Sequence, residues 1–159
     1  MNAKLALALL WVGILAGCGT PDSGGSAAPA APPAVDYRNS RAEVVVLSFF
    51  DMYCPHCQRT ADEVNRLHAL VKSRGLGSRI EFFAIGWNNS EMEAEMYRKR
   101  FQVPFAVVPD RSRAISSRFG NFRPPLLIAL RKEGGTWREF YRTRSLRGDP
   151  EAILAKIQP

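Results

Sequence analysis

The chain has 159 residues, enough for one domain of ordinary size with a core of its own. Hydrophobic residues make up 46% of it, and 22 basic against 15 acidic side chains give a formal charge of +7. Such a charge can steer acidic partners or touch anionic lipid headgroups, although a solvated basic surface is the simpler explanation. No basic run is interleaved with aromatic residues, so nucleic acid is not an expected partner.

The first 17 residues have the features of a secretory signal peptide. Lys4 precedes the apolar run from Leu5 to Ile14, which is too short for a convincing membrane-spanning helix. The next four residues, Leu15-Ala16-Gly17-Cys18, resemble a bacterial lipobox, which implies cleavage before Cys18 and lipidation of that cysteine. An ordinary signal peptide with an incidental cysteine is the alternative. In either case we expect an extracytoplasmic, periplasm-facing protein, and disulfides persist there.

A tether follows the lipobox. Residues 18–35 consist of Cys18 and a segment rich in Gly, Ser, Ala and Pro, which cannot bury enough apolar surface to fold. We therefore expect a signal peptide at 1–17, a lipidated, flexible tether at 18–35 and a folded domain at 36–159. The lipid anchor would attach this domain to a bacterial membrane, inner or outer.

The chemistry is expected at Cys54-Pro55-His56-Cys57. This C-x-x-C motif directly follows an apolar run, Val44 to Phe50, that is typical of a buried strand. A helical pattern follows it to about Arg74, with Ala61, Val64, Leu67 and Val71 on the same face as Cys57. The motif therefore places Cys54 at a helix N-terminus, where unpaired amides and the helix dipole favour a thiolate. Pro55 is tolerated in the first turn, and His56 can stabilise the thiolate through charge or a hydrogen bond.

The rest of the chain predicts alternating strands and helices. Ile80 to Trp87 is typical of a strand parallel to the first. Ser90 and Glu93 form a capping-box signature for a helix to about Phe101. A short strand is expected at Val103 to Val108, followed by a helix that carries Ile115 and Phe119 and ends at Gly120. A buried strand at Pro125 to Leu130 and an edge strand at Trp137 to Arg142 are joined by a hairpin turn at Gly134-Gly135. Asp149-Pro150 begins the last helix. The expected fold is an α/β three-layer sandwich with a mixed sheet.

From about Val44 to Ile157 the chain resembles thioredoxin-fold proteins. The resemblance is carried by the strand leading into a C-x-x-C helix start with an aromatic flank, the proline that opens a later strand, the glycine hairpin and the C-terminal helix. The extra helix and strand between Ser90 and Gly120 are similar to those of membrane-anchored extracytoplasmic thioredoxins of the TlpA/ResA type. This resemblance implies a lipoprotein thiol-disulfide oxidoreductase.

The family's site residues map onto this chain one by one. The resemblance implies that Cys54 attacks a partner disulfide and that Cys57 resolves the mixed disulfide. It places the family's cis-proline, which offers backbone to an extended substrate, at Pro125 rather than Pro124. Tyr53, at the aromatic flank, and Arg123, before the prolines, are further candidate substrate contacts, although a surface role for Arg123 is equally expected.

Two departures affect proton handling. Ser48 stands where classical thioredoxins carry a buried Asp, and Thr60 stands where TlpA/ResA-type proteins often carry an acidic residue. Water, Asp51 or Asp62 would have to supply the missing function. The setting of the cysteine also lacks the T-x-x-C pattern of peroxiredoxins, which disfavours peroxidase activity.

The direction of electron flow stays open. The Ser90 to Gly120 insertion favours a reductase fed by a membrane electron donor, whereas the Pro-His dipeptide is the one found in the oxidising DsbA family. Our interpretation leans towards reduction of protein disulfides. The expected partners are protein thiols and disulfides, a membrane redox partner and the membrane itself, and the expected redox group is the Cys54–Cys57 pair without another cofactor.

Three alternatives use the same cysteines differently. An inert structural disulfide fits poorly with the flanking strand and helix. Zinc would need two further ligands, and the chain has two histidines, His56 and His68, and no second C-x-x-C. Copper or haem handling is the alternative from another class, because soft thiolates beside a histidine bind Cu(I). No resident metal is expected.

Several residues have competing structural interpretations. His68 is expected to be an ordinary residue of the long helix. Met92 and Met96, four residues apart on one helix face, are expected in the core rather than as a soft-metal pair. Trp87, Asn88 and Asn89 end a strand and are expected either to line the rim of the active site or to serve as turn and cap residues.

Overall fold

The computed structural model describes residues 36–146 and 149–159, which belong to a single compact unit. The signal peptide, the lipidation site Cys18 and the tether predicted at 18–35 lie outside the described residues. No helix among those described is long and apolar enough to cross a bilayer.

The described residues form five strands, three α-helices and two short 3-10 helices. In chain order they are a first 3-10 helix at Tyr37–Asn39, β1 at Val44–Phe50, α1 at Pro55–Ser73, β2 at Ile80–Trp87, α2 at Glu91–Arg100, β3 at Ala106–Asp110, a second 3-10 helix at Ser116–Phe119, β4 at Leu126–Glu133, β5 at Thr136–Thr143 and α3 at Pro150–Ile157. This sequence of elements confirms the mixed α/β class.

The strands form one mixed sheet in the order β3-β2-β1-β4-β5. The strands β1, β2 and β3 run parallel, while β4 is antiparallel to β1 and β5 is antiparallel to β4. All seven residues of β1 are buried, as expected for a central strand covered on both faces. The carboxyl end of β1 leads directly into the cysteine motif.

Alternating side chains divide the core between the two faces of the sheet. One face packs against α1 and α3 through residues such as Val46, Leu67 and Leu154, and against α2 through Phe50, Ala84 and Tyr97. The other face carries Leu47, Ile85 and Ile128 and is covered by aromatic side chains, three from the connecting segments and one from β5: Tyr37, Phe119, Phe122 and Trp137. The third layer is therefore formed by turns, 3-10 helices and part of β5, rather than by α-helices.

The segment after α2 differs from its prediction. The strand expected at Val103 to Val108 begins at Ala106 and continues through Pro109 to Asp110. Proline is tolerated there because β3 is an edge strand that pairs with a neighbour on one side only. The strand predicted from Pro125 begins one residue later and extends to Glu133.

The helix predicted after Pro109-Asp110 is a single 3-10 turn at Ser116–Phe119. Arg113 has a positive φ of 61°, which interrupts any helix begun earlier. The buried Asp110 carboxylate accepts the backbone N–H groups of Ile115 and Ser116 at 2.9 and 2.8 Å and thereby fixes the loop.

The prediction that Met92 and Met96 lie in the core is wrong. Their side chains are 75% and 50% exposed. The face of α2 that packs on the sheet carries Ala94 and Tyr97, which point away from the methionines. Two apolar residues four positions apart define a helix face, but they do not determine that this face turns inward.

Candidate active site

Cys54 is the N-cap residue of α1. Its backbone is extended, with φ of −81° and ψ of 112°, and Pro55 occupies the first helical turn. The Cys54 sulfur accepts the backbone N–H of Cys57 at 3.3 Å, one of the amides left unpaired at a helix start. The thiol is half-buried. Its sulfur is therefore accessible to solvent and also accepts a hydrogen bond from the helix start.

Cys57 lies almost one turn further along the helix and is buried in the core. Only 1% of the residue is exposed, and it packs with Phe50, Ala61 and Tyr97. This burial, with a smaller contribution from the Cys54 sulfur, raises the pKa of the Cys57 thiol far above its usual range. One sulfur is therefore accessible and the other is protected and protonated at neutral pH, which is the asymmetry that thiol-disulfide exchange requires.

Hydrogen bonds between residues close in sequence shape the turn that joins β1 to the motif. The Asp51 side chain accepts the N–H of Tyr53 at 3.0 Å, and the Asp51 carbonyl accepts the N–H of Cys54 at 3.1 Å. Gln58 donates from its side chain to the Met52 carbonyl at 2.8 Å. Asp51 thus serves this turn, while Asp62, the other candidate for proton handling, is exposed on α1.

The loop before β4 approaches the same edge of the sheet. In the antiparallel ladder Phe49 pairs with Leu126, so Pro125 lies beside the end of β1, where the chain enters the motif. The peptide bond between Pro124 and Pro125 is cis and Pro125 is buried, as the resemblance implies. Arg123, two residues earlier, is exposed.

The remaining predicted site residues lie on the outside of the motif. Tyr53 is 69% exposed, and Pro55 and His56 are exposed in the first turn of α1. His68 lies between Phe82 and Phe105, with ring centroids at 5.2 and 5.1 Å, and this burial lowers its pKa. His68 is therefore a packed helix residue, as expected.

Residues at the positions of the missing carboxylates are also buried. Ser48 and Thr60 are 9% and 3% exposed. The Thr60 hydroxyl donates to the carbonyl of Cys57 at 3.1 Å, so it serves the helix backbone at the motif. No group of three or more His, Cys, Asp or Glu residues within 36–146 and 149–159 is placed to hold a metal ion.

Sequence reasoning missed two contacts, one from the turn after β2 and one from α2. Asn89 accepts the N–H of Met52, and Tyr97 donates to the carbonyl of Cys57. The sequence identifies Asn89 as a turn or rim residue, whereas no feature in it singles out Tyr97. Its position three residues after Ala94, on the inner face of α2, is the signal that could have found it.

A separate groove lies beyond the outer edge of β3. It has a volume of about 1,160 Å³, and its lining includes Tyr37, Met92, Pro109 and Ile115 but neither cysteine. Pro109 removes one N–H donor from this edge, which makes the addition of a further strand less favourable.

Comparison with known proteins gives relatives of one functional type. Over 100 residues the chain is 24% identical to the thiol-disulfide oxidoreductase ResA of Halalkalibacterium halodurans, covering 63% of this chain and 54% of the relative. It is 24% identical over 119 residues to ResA of Geobacillus kaustophilus, covering 75% and 66%. The chain thus spans about half to two thirds of the length of these relatives.

Solved structures share the fold. The thioredoxin domain of a thiol-disulfide oxidoreductase from Bacteroides vulgatus superposes with a TM-score of 0.61 at 12% identity, covering 78% of this chain and 86% of that one. A secreted disulfide oxidoreductase of Mycobacterium tuberculosis, homologous to DsbE of E. coli, gives 0.56 at 14% identity, covering 72% and 80%. The architecture is therefore thioredoxin-like.

The model of the AhpC/TSA family matches residues 33–142, which includes the cysteine motif, the α2–β3 insertion and the cis-proline. Since this match extends over more than half of the sequence, the chain belongs to the AhpC/TSA family.

Proposed function

We propose that this protein is an extracytoplasmic thiol-disulfide oxidoreductase that acts on protein substrates through Cys54 and Cys57. One observation carries the proposal: an accessible sulfur at a helix N-cap, contacted by the Cys57 amide at 3.3 Å, stands next to a buried thiol that can resolve it. The names of the ResA relatives support the same reaction.

In the proposed reaction the Cys54 thiolate attacks one sulfur of a partner disulfide. A bond forms between Cys54 and that sulfur, and the other partner sulfur leaves as a thiolate. Cys57 then loses its proton and attacks Cys54, which releases the second partner sulfur. The partner gains two electrons, and the Cys54–Cys57 pair becomes a disulfide.

Pro125 is proposed to orient the substrate. Its place beside the end of β1 lets the backbone next to it pair with an extended partner segment, while the exposed Tyr53 and Arg123 flank the approach. Exposure of His56 in the first turn of α1 supports its proposed role near the thiolate.

We test the reaction by trapping. The Cys57→Ala variant should accumulate mixed disulfides with protein partners, which can be resolved by non-reducing electrophoresis and identified by mass spectrometry. The Cys54→Ser variant is the matched control and should trap far fewer partners. Exchange by Cys54→Ser at the wild-type rate would refute the mechanism.

The proposed direction is reduction of partner disulfides, supplied by a membrane electron donor. The α2–β3 insertion supports this direction, and the Pro55-His56 dipeptide supports the opposite one. Alkylation of thiols in intact cells distinguishes the two directions: a mainly reduced Cys54–Cys57 pair agrees with a reductase, and a mainly oxidised pair indicates an oxidase.

We further propose that lipid on Cys18 anchors the domain to a membrane. The support is the Leu15-Ala16-Gly17-Cys18 sequence. Labelling with a clickable fatty-acid analogue should mark the wild type and leave Cys18→Ser unlabelled. Equal labelling of the two proteins would exclude Cys18 as the attachment point.

A further inference from the structure

Three side chains spaced four residues apart meet the redox motif from outside it. We call Asn89, Glu93 and Tyr97 the positioning row. Asn89 ends the turn after β2, and Glu93 and Tyr97 lie on α2, the helix of the insertion. Asn89 contacts Met52 and Tyr97 contacts Cys57, and the charge of Glu93, between them in sequence, raises the pKa of Tyr53.

The first two members of the row lie at the entry to the motif. Asn89 is 2% exposed, and its side-chain oxygen accepts the N–H of Met52 at 3.0 Å. The Glu93 carboxylate is held by the N–H and hydroxyl of Ser90 at 2.7 and 2.8 Å. From this fixed position its negative charge raises the pKa of the Tyr53 hydroxyl.

Tyr97, the third member of the row, contacts the resolving cysteine. The Tyr97 ring stacks on Phe50, with centroids 3.7 Å apart and planes inclined by 15°. Its hydroxyl donates to the Cys57 carbonyl at 3.4 Å, a long contact for a hydroxyl donor. Burial raises the pKa of Tyr97, so the hydroxyl keeps its proton and remains a donor. Thr60 donates to the same carbonyl at 3.1 Å.

We propose that Tyr97 is a positioning residue for the resolving step, in which it holds Cys57 in line with the Cys54 sulfur. This inference rests on the proposed function. It assigns the helix of the insertion a task in the second step of exchange, because the Tyr97 contact reaches the resolving cysteine.

The two steps of exchange need different parts of the motif. Capture is a bimolecular attack by Cys54 and depends on its exposed surroundings. Resolution is intramolecular, and its rate depends on how well the sulfur of Cys57 is aligned with the bond between Cys54 and the partner. A loosened Cys57 carbonyl therefore slows resolution and leaves capture unaffected.

The test separates the two steps with a symmetric probe. Two copies of a fluorophore-labelled peptide are joined through their single cysteines, so that the dimer is self-quenched. Attack by Cys54 releases the first peptide in a second-order phase, and attack by Cys57 releases the other in a first-order phase. Stopped-flow fluorescence and acid-quenched chromatography of the full-length reduced protein measure both rates.

We expect Tyr97→Phe to slow the first-order phase about threefold, the low end of what one hydrogen bond contributes, and to leave the second-order phase within about twofold of wild type. Thr60→Val should slow the same phase, and Thr60→Ser should restore it. Tyr141→Phe removes a hydroxyl from β5 and is the matched control that should alter neither phase.

An unchanged first-order phase in Tyr97→Phe would overturn the inference, as would equal slowing of both phases by that variant. If Tyr97→Phe fails to fold, the Thr60 variants decide the question. Absence of both phases in the wild-type protein would instead refute the proposed function, so the two failures are distinguishable.

Discussion

Cys54 and Cys57 differ in environment although only two residues separate them. Cys54 ends an extended segment and meets solvent and a helix amide, whereas Cys57 faces the sheet beneath Phe50 and Tyr97. Cys57 lies on the apolar face of α1 that packs on the sheet, whereas Cys54 caps the helix end, where the chain is still at the surface. The motif and its apolar face were sufficient to predict this asymmetry.

Burial of the Cys57 thiol links stability to pH. The folded-state pKa is raised above the unfolded value, so the unfolded chain loses this proton first as the pH rises. The contribution is fully present below the unfolded pKa of about 8.5 and falls above it by up to about 1.4 kcal/mol per pH unit. Urea unfolding of the reduced protein between pH 7 and about pH 10 should show a steeper loss for wild type than for Cys57→Ser. Parallel losses in the two proteins would contradict the burial argument.

The helix α2 shows what a sequence pattern can and cannot determine. Its boundaries follow from local chemistry, since Ser90 and Glu93 form both bonds of the capping box. Its orientation depends on the residues of β1 and α1 that it meets, above all the stacking of Tyr97 on Phe50. Such contacts join positions far apart in the chain, and periodicity within a ten-residue helix does not contain them. The core position assigned to Met92 and Met96 was wrong for this reason.

Exposure of Met96 gives a direct prediction. Met96→Gln should change the free energy of unfolding by no more than about 0.5 kcal/mol, because the side chain loses little buried area. Tyr97→Ala, one residue further along the same helix, should cost about 3 kcal/mol or more, since it removes a buried ring. Chemical denaturation of both variants provides the measurement. Similar losses would mean that α2 presents a different face to the sheet.

The loop after β3 depends on one buried carboxylate. Asp110 is 3% exposed and accepts two backbone N–H groups. In Asp110→Asn one of these donors would face an amide NH₂ group, and we expect a loss of about 1–3 kcal/mol in unfolding free energy. Asp149→Asn is the matched control: Asp149 accepts a single N–H at the exposed start of α3, where Asn caps equally well. Equal stability of the two variants would count against the role of Asp110.

At the scale of the whole molecule, the sheet order collects the site from distant segments. Placing β1 between β2 and β4 brings the motif, the turn at Asn89 and the cis-proline loop to one edge. The β-α-β unit and the hairpin predicted most of this order, because right-handed crossovers and short turns leave few topologies. The cover of the second face was not predictable in the same way, since it consists of single aromatic residues in irregular segments, such as Phe119 and Phe122.

The direction of electron flow is also a property of the whole molecule, because it depends on which redox form the fold stabilises. A strong oxidant is one whose dithiol form is the more stable, and each 30 mV of reduction potential corresponds to about 1.4 kcal/mol. The proposed reducing direction therefore predicts that the oxidised protein unfolds at a higher temperature than the reduced one, by several degrees.

Calorimetry of the same preparation, fully oxidised and then fully reduced, measures this difference. Cys57→Ser cannot form the pair and should show a single unfolding temperature under both conditions, which controls for effects of the reductant. If the reduced wild-type protein unfolds at a higher temperature than its oxidised form, the Pro55-His56 dipeptide has the dominant influence on the direction of electron flow. Electrons would then flow from substrate thiols into the Cys54–Cys57 disulfide, and the insertion would serve positioning rather than reduction.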